Sequence, residues 1–372
     1  MPTGGPAFIP GLELSRRFYT DAVRPLLDEI APGIPHSAAR LGSGSEVLGY
    51  DTPRSADHEW GPRLQLFLHR RDVSRHAGRI RHFLSEHLPK TFHGHPTNFA
   101  PTGERTDADI RVMQATEGPV HHRVEITHIS AWSTATLGFD PATGITPTDW
   151  LAAPTQRLAE VTAGAVFHDG LHELTSLRRA LRWYPHDTWL HVLACQWQRI
   201  SQEEAFVGRC GEVGDELGST ITAGRLTRDL MRLCLLMDRH YPPYTKWLGT
   251  AFNRTTAGHH LTPVLTAALS ATDWRTREKH LCQAYEAIGS LHNQLGLTDH
   301  VDPTTRPYHS RPFQVLRAER FTEALLARIE DPAIKRLPLT GAIDQFADST
   351  DLLGRVELTR AVYRATQKPR SD

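Results

Sequence analysis

Hydrophobic periodicity changes once along this chain, near residue 150, and no single layer of structure accommodates both halves. Before Trp150, runs such as "RLQLFLH" (residues 63–69) and "HHRVEITHIS" (residues 121–130) have the composition of strands, and "VSRHAGRIRHFLSEHL" between them carries apolar residues at helical spacing. After Leu151 the stretches "TWLHVLACQWQRISQEEAF", "RLTRDLMRLCLLMDRHY", "REKHLCQAYEAIGSLHNQLG" and "PFQVLRAERFTEALLARIED" each show an apolar stripe of helical period, separated by breakers such as "YPPY". The pattern predicts an α+β protein with an α/β domain over residues 1–150 and an all-helical domain over 151–372. Residues 91–118, rich in Gly, Pro, Thr and Asp, are expected to form a long excursion with one short strand, of the kind that borders sites.

Lys plus Arg and Asp plus Glu are equal at 42 each, so no global positive field draws the chain to a polynucleotide or an anionic membrane. No apolar run is long enough to span a bilayer, and "MPTGGPAFIPGLELSRRFYT" lacks the apolar core of a signal peptide, which makes a cytoplasmic protein the expectation. Cys195, Cys210, Cys234 and Cys282 are far apart with no C-x-x-C pair, the pattern of free thiols in helices.

The chemistry concentrates in residues 42–72, "GSGSEVLGYDTPRSADHEWGPRLQLFLHRRD". Asp57 and Glu59 stand two apart where an apolar run begins, and in a strand both would project from one face with His58 on the other. Like charges held that close call for a cation, and hard oxygen ligands suit Mg²⁺; a solvated strand edge is the bland alternative. Upstream, Gly42, Ser43, Gly44 and Ser45 form a turn of small residues whose backbone N–H groups can approach a phosphate closely. Glu125, in "RVEITHI", shares a strand face with Arg123 and Thr127 and would complete a carboxylate triad if the two strands were neighbours. Three acids can hold metal ions that bridge a triphosphate and an attacking oxygen.

Other motifs are weaker. Gly42, Gly44 and Gly49 have the wrong spacing for a dinucleotide fingerprint, and no P-loop pattern occurs. His168 and His172 in "VFHDGLHEL" have the spacing of zinc ligands, but Glu173 follows the second histidine and Gly170 interrupts, so the segment reads as a loop before a helix. In the helical half, "RISQEEAFVGRCGEVGDELGS" offers Glu203, Glu204 and Asp215 either as solvated charges or as the source of a general base, with Glu204 the choice for the latter. Lys246, between Tyr244 and Trp247, is a candidate triphosphate or base contact.

The Gly-Ser turn, a gap, an acid-x-acid pair and a later strand with one more acid resemble the polymerase-beta type of nucleotidyltransferase fold. That resemblance implies contact of Ser43 or Ser45 with a triphosphate and Mg²⁺ on Asp57, Glu59 and Glu125; Glu59 stands where Asp is common. The stretches "GSGSEVLGYDTPRSADHEWGPRLQLFL", "RISQEEAFVGRCGEVGDELGS", "YPPYTKWLGTAF" and "DQFADSTDLL" are similar to bacterial proteins grouped as domain of unknown function 4037, over nearly the whole chain. The function expected is Mg²⁺-dependent transfer of AMP from ATP to a hydroxyl of a small molecule, with release of pyrophosphate. A protein side chain or RNA end as acceptor, a non-catalytic nucleotide-sensing or partner-binding protein, and a zinc hydrolase using His168 and His172 are the alternatives. Oligomeric state stays open.

Overall fold

The computed structural model describes residues 7–102 and 110–367. The chain divides into two units, Met1–Ile145 with Arg157–Arg182, and Thr146–Gln156 with Trp183–Asp372. The boundary expected at residue 150 is thereby corrected, because the chain returns to the first unit before settling in the second.

The first unit is built on four strands, β1 (His36–Arg40), β2 (Arg63–Leu68), β3 (Arg123–Thr127) and β4 (Ala165–Asp169), in the order β3-β2-β1-β4. β4 is what brings residues 157–182 back: it pairs antiparallel with β1, Ser37 opposite Asp169 and Arg40 opposite Ala165. Its segment is therefore a strand and a turn where a loop was expected, followed by the expected helix, Glu173–Ala180. β1 is also antiparallel to β2, whereas β2 and β3 run parallel with Arg63 opposite Arg123 and Gln65 opposite Glu125. A parallel pair needs a long crossover, and helix α1 (Arg70–His87) lies within it.

Alternation along β2 assigns the two sheet faces. Leu64, Leu66 and Leu68 join Phe18, Leu27, Ile80, Leu84, Val124 and Ile126 in one apolar core. Arg63, Gln65 and Phe67 take the other face, where Phe67 meets the Trp132 ring edge-on at 5.7 Å. The excursion before β3 holds two short hairpins, Thr91–Phe92 with His95–Pro96 and Phe99–Pro101 with Arg111–Met113, where one strand was expected; its residues 103–109 lie outside the described residues.

The second unit contains α2 (His186–Glu203), α3 (Phe206–Glu212), α4 (Glu216–Met237), α5 (Thr245–Asn253), α6 (Trp274–Gln294) and α7 (Glu319–Leu326). α2 is buried on almost every side, through Trp189, Leu190, Val192, Leu193, Ala194, Cys195 and Trp197, and α4 and α7 pack against it. A two-stranded ribbon, Arg306–Pro307 with Gln314–Val315, interrupts what was expected to be purely helical. All four cysteines are free thiols. Among the described residues no helix is long and apolar enough to cross a membrane.

Candidate functional site

The Gly-Ser turn hangs from the end of β1, and β2 fixes where it starts. The Gln65 side chain accepts from the Leu41 amide at 3.0 Å and donates to the Leu41 carbonyl at 3.1 Å. Gly42 then donates to the Glu160 carbonyl and Gly164 to the Val47 carbonyl, both at 2.9 Å, which ties the loop down on its far side. The Arg40 guanidinium reaches up from the strand to the carbonyls of Leu41 and Ser43. Among the described residues the amides of Ser43, Gly44 and Ser45 have no hydrogen-bond acceptor.

Beneath the turn lies a buried charge cluster. Glu46 Oε1 accepts from Arg40 Nε at 2.8 Å and from Arg63 Nη2 at 2.8 Å and Nε at 3.1 Å, while Glu46 Oε2 has no hydrogen-bond partner. Burial works to raise the Glu46 carboxyl, but the two guanidiniums outweigh it and hold it below the usual range. The converse shows at Arg40, where burial, and secondarily Arg63, lower the guanidinium to about 10 against the pull of Glu46. Arg40 and Arg63 both bond Glu46 here, and Arg63 also faces Glu59 at 3.4 Å, so the cations beneath the turn are matched by more than one anion. Gly44 is needed at this close approach. Its φ is +148°, and an added Cβ would lie 2.5 Å from Glu46 Oε2, 2.6 Å from Arg40 Nη2 and 2.7 Å from Arg63 Nη2.

The acids expected to enter a strand do not. Asp51 accepts from the Gly11 amide and from Trp60 Nε1, and Trp60 is buried, so residues 52–59 arch outward between two anchors. Pro53–Asp57 is one turn of 3₁₀ helix and β2 begins only at Arg63. Asp57 is exposed, bonded to the amide of His58 and 2.9 Å from His58 Nδ1, and His58 is itself exposed, which corrects its expected place beneath the site. Glu59, at φ +46°, turns back onto the sheet. Its Oε1 accepts from the Arg111 amide at 2.8 Å, and its Oε2 faces Arg63 at 3.4 Å and pairs with Arg123.

Glu125 lies where expected, on β3 beside β2. Although it keeps solvent contact, desolvation holds its carboxyl above the usual range against the opposing effects of Gln65, Arg40 and Arg123. The turn after β1, the arch before β2 and the start of β3 thus converge at one end of the sheet. What links them is arginine. A Mg²⁺ ion shared by Asp57, Glu59 and Glu125 does not fit these side chains as they stand, since both Glu59 oxygens are taken by Arg111, Arg63 and Arg123. Among the described residues no group of three His, Cys, Asp or Glu side chains is placed to hold a metal. The residues of this cluster that the sequence did not single out are Arg40, Glu46, Arg63, Gln65 and Arg111; their one signal was a polar or charged residue inside or beside strand runs.

The candidates of the helical half have structural partners. Glu204, expected on a cleft wall, is instead buried, and its carboxylate accepts from the amides of Leu316 at 2.7 Å, Arg317 at 3.2 Å and Ala318 at 3.0 Å, closing the start of α7. Burial raises it to about 7 despite those bonds. Glu203 pairs with Arg225, and Asp215 caps α4 by accepting from the Gly218 amide at 2.7 Å. Lys246 is exposed in the first turn of α5, with Nζ 5.3 Å from the Trp247 ring centre. In the first unit, the His168 ring lies tilted against His36 with centroids 4.7 Å apart, and His172 sits in a left-handed turn ahead of its helix.

Residues 150–248 match the family model described as Domain of unknown function (DUF4037). The DUF4037 match holds β4, α2, α3, α4 and the first residues of α5, so it takes in parts of both units. Glu204 and Lys246 fall inside it; Gly42 to Ser45, Asp57, Glu59 and Glu125 fall outside, so the resemblance to DUF4037 is shown over a shorter stretch than expected. No curated protein and no solved structure matches the chain.

Proposed function

We propose that this protein binds a nucleoside triphosphate, ATP being the first choice, through its Gly-Ser turn and transfers the nucleotidyl group to a hydroxyl of a small molecule. The acceptor oxygen forms a bond to the α-phosphorus, the bond from that phosphorus to the bridging oxygen breaks, pyrophosphate leaves with the electron pair, and the acceptor loses its proton. One observation carries the reading: three consecutive amides without acceptors, at Ser43, Gly44 and Ser45, stand over two guanidiniums that share one carboxylate. Backbone nests of this kind suit phosphate, and Arg40 Nη2 and Arg63 Nη2 lie close to Gly44. Asp57 and Glu125 are both exposed, so amide variants of either test their part in transfer without disturbing the core.

A second reading, a nucleotide-binding protein without turnover, is favoured by the arginine clamp on Glu59. The two separate in one assay. Each of the four nucleoside triphosphates would be incubated with a panel of hydroxyl acceptors, with and without Mg²⁺, and pyrophosphate followed. Mg²⁺-dependent release that Asp57→Asn and Glu125→Gln abolish supports transfer; tight ATP binding without release supports the sensor.

A further inference from the structure

Helix α1 carries five arginines, Arg70, Arg71, Arg75, Arg79 and Arg81, against the two acids Asp72 and Glu86, a local surplus in a chain whose total charges balance. All five are exposed. Exposed arginines of the second unit take a carboxylate at hydrogen-bond distance: Arg225 pairs with Glu203, Arg311 with Glu212 and Arg328 with Asp299. Those of α1 do not. Among the described residues Arg70, Arg75 and Arg81 have no carboxylate partner, Arg79 gives its Nη2 to the Ile30 carbonyl, and Arg71 comes only within 3.8 Å of Asp72. Arg71, Arg75 and Arg79 follow at intervals of four, which lines them up on one face, and like charges at that spacing weaken a helix.

Gly78 stands exposed on the same face. Neither a positive φ nor a crowded neighbour calls for glycine there, since a Cβ would meet nothing within 4 Å. Glycine inside a helix is destabilising relative to alanine, so the fold gains nothing from it. Bare backbone in the middle of a basic face does let an anionic chain approach closely. We propose that this face of α1 binds a nucleic-acid strand through its phosphates, without reading sequence. The planar fork of arginine matches phosphate oxygens. The row advances about 6 Å per interval of four and a strand carries a phosphate about every 3.4 Å, so the arginines meet roughly every second phosphate. A membrane surface does not fit: Ala77, Ile80 and Leu84, the apolar side of α1, are buried, and among the described residues no exposed large hydrophobic side chain lies on the helix. The proposal is independent of the Gly-Ser turn and of what the turn binds.

Fluorescence anisotropy of a labelled single-stranded RNA of about 20 nucleotides and mixed sequence, titrated with the full chain between about 50 and 200 mM salt, tests this. The logarithm of the affinity should fall with the logarithm of salt at a slope of about −2, for three phosphates at about 0.7 each. Arg71→Ala combined with Arg75→Ala should weaken binding at the lower salt by at least about tenfold and flatten the slope to about −1. Gly78→Gln should raise the thermal midpoint, glutamine being the better helix former, and yet weaken RNA binding by about threefold or more. Circular dichroism should match wild type in every variant, the altered side chains being exposed. No binding at the lower salt, binding unchanged by the arginine substitutions, or wild-type affinity in Gly78→Gln would overturn the proposal. So would displacement of the RNA by poly-glutamate at equal concentration of charge, which would make an acidic protein the partner.

Discussion

Two buried glutamates, Glu46 in the first unit and Glu204 in the second, solve the same problem in opposite ways. Glu46 is compensated by charge, with Arg40 and Arg63 both on one oxygen, and its carboxyl is held below the usual range. Glu204 is compensated by dipoles, three amides in a row, and burial still raises it to about 7. Compensation by two arginines puts two guanidiniums close to Gly44 of the turn. Compensation by amides brings no such charge. Buried acids of similar appearance in the sequence are thus held by charge in one unit and by dipoles in the other.

The comparison breaks most visibly at Glu46. Glu46→Ala leaves Arg40 and Arg63 buried with their shared anion gone, and should cost about 3–5 kcal/mol in denaturant unfolding of the first unit. A loss under about 1 kcal/mol would mean that water reaches the cluster freely. Next comes Glu204→Ala, which strands three amides at the start of α7 and should cost about 2–4 kcal/mol.

Glu204 also sharpens the contrast through pH. Its folded value of about 7 lies above its ordinary 4.5, so the folded chain binds that proton more tightly than the unfolded chain does. The stability it contributes is full below 4.5, declines as pH rises towards about 7 and is lost beyond. Glu204→Gln should remove that decline from the difference between variant and wild-type stability curves. If the slope is unchanged, another raised group such as Glu278 is responsible. Smaller still, Asp57→Asn and Ser45→Ala should each alter stability by less than about 0.5 kcal/mol, since Asp57 is exposed and the Ser45 hydroxyl makes no hydrogen bond among the described residues.

Much of the frame was legible. The strands at 63–68 and 123–127 and the helix between them follow from periodicity, because each packs an apolar face on the core that the other supplies. β4 was not, since "AVFHD" is short, half-buried and interrupted by histidine, and only its pairing with β1 makes it a strand. The Gly-Ser turn was legible from its small residues. The placing of Asp57 and Glu59 was not: spacing of two implies one face only inside a strand, and the anchors at Asp51 and Trp60 keep this segment out of one. The arginines were invisible for a related reason. Arg40 and Arg63 lie at strand ends, where a charge ordinarily reaches water, and nothing in the sequence says that both turn inward onto Glu46.

The central claim is that phosphate binds at the Gly-Ser turn, and calorimetric titration of ATP into wild-type and Gly44→Val protein, at one fixed Mg²⁺ concentration, tests it most directly. Valine at that position would have to occupy space within 2.7 Å of Glu46, Arg40 and Arg63 side-chain atoms, at a φ of +148°. The variant is predicted to bind ATP at least about tenfold more weakly while circular dichroism shows the sheet intact, a loss of about 1.4 kcal/mol or more. Equal affinity in the two proteins would contradict the account and move the phosphates elsewhere.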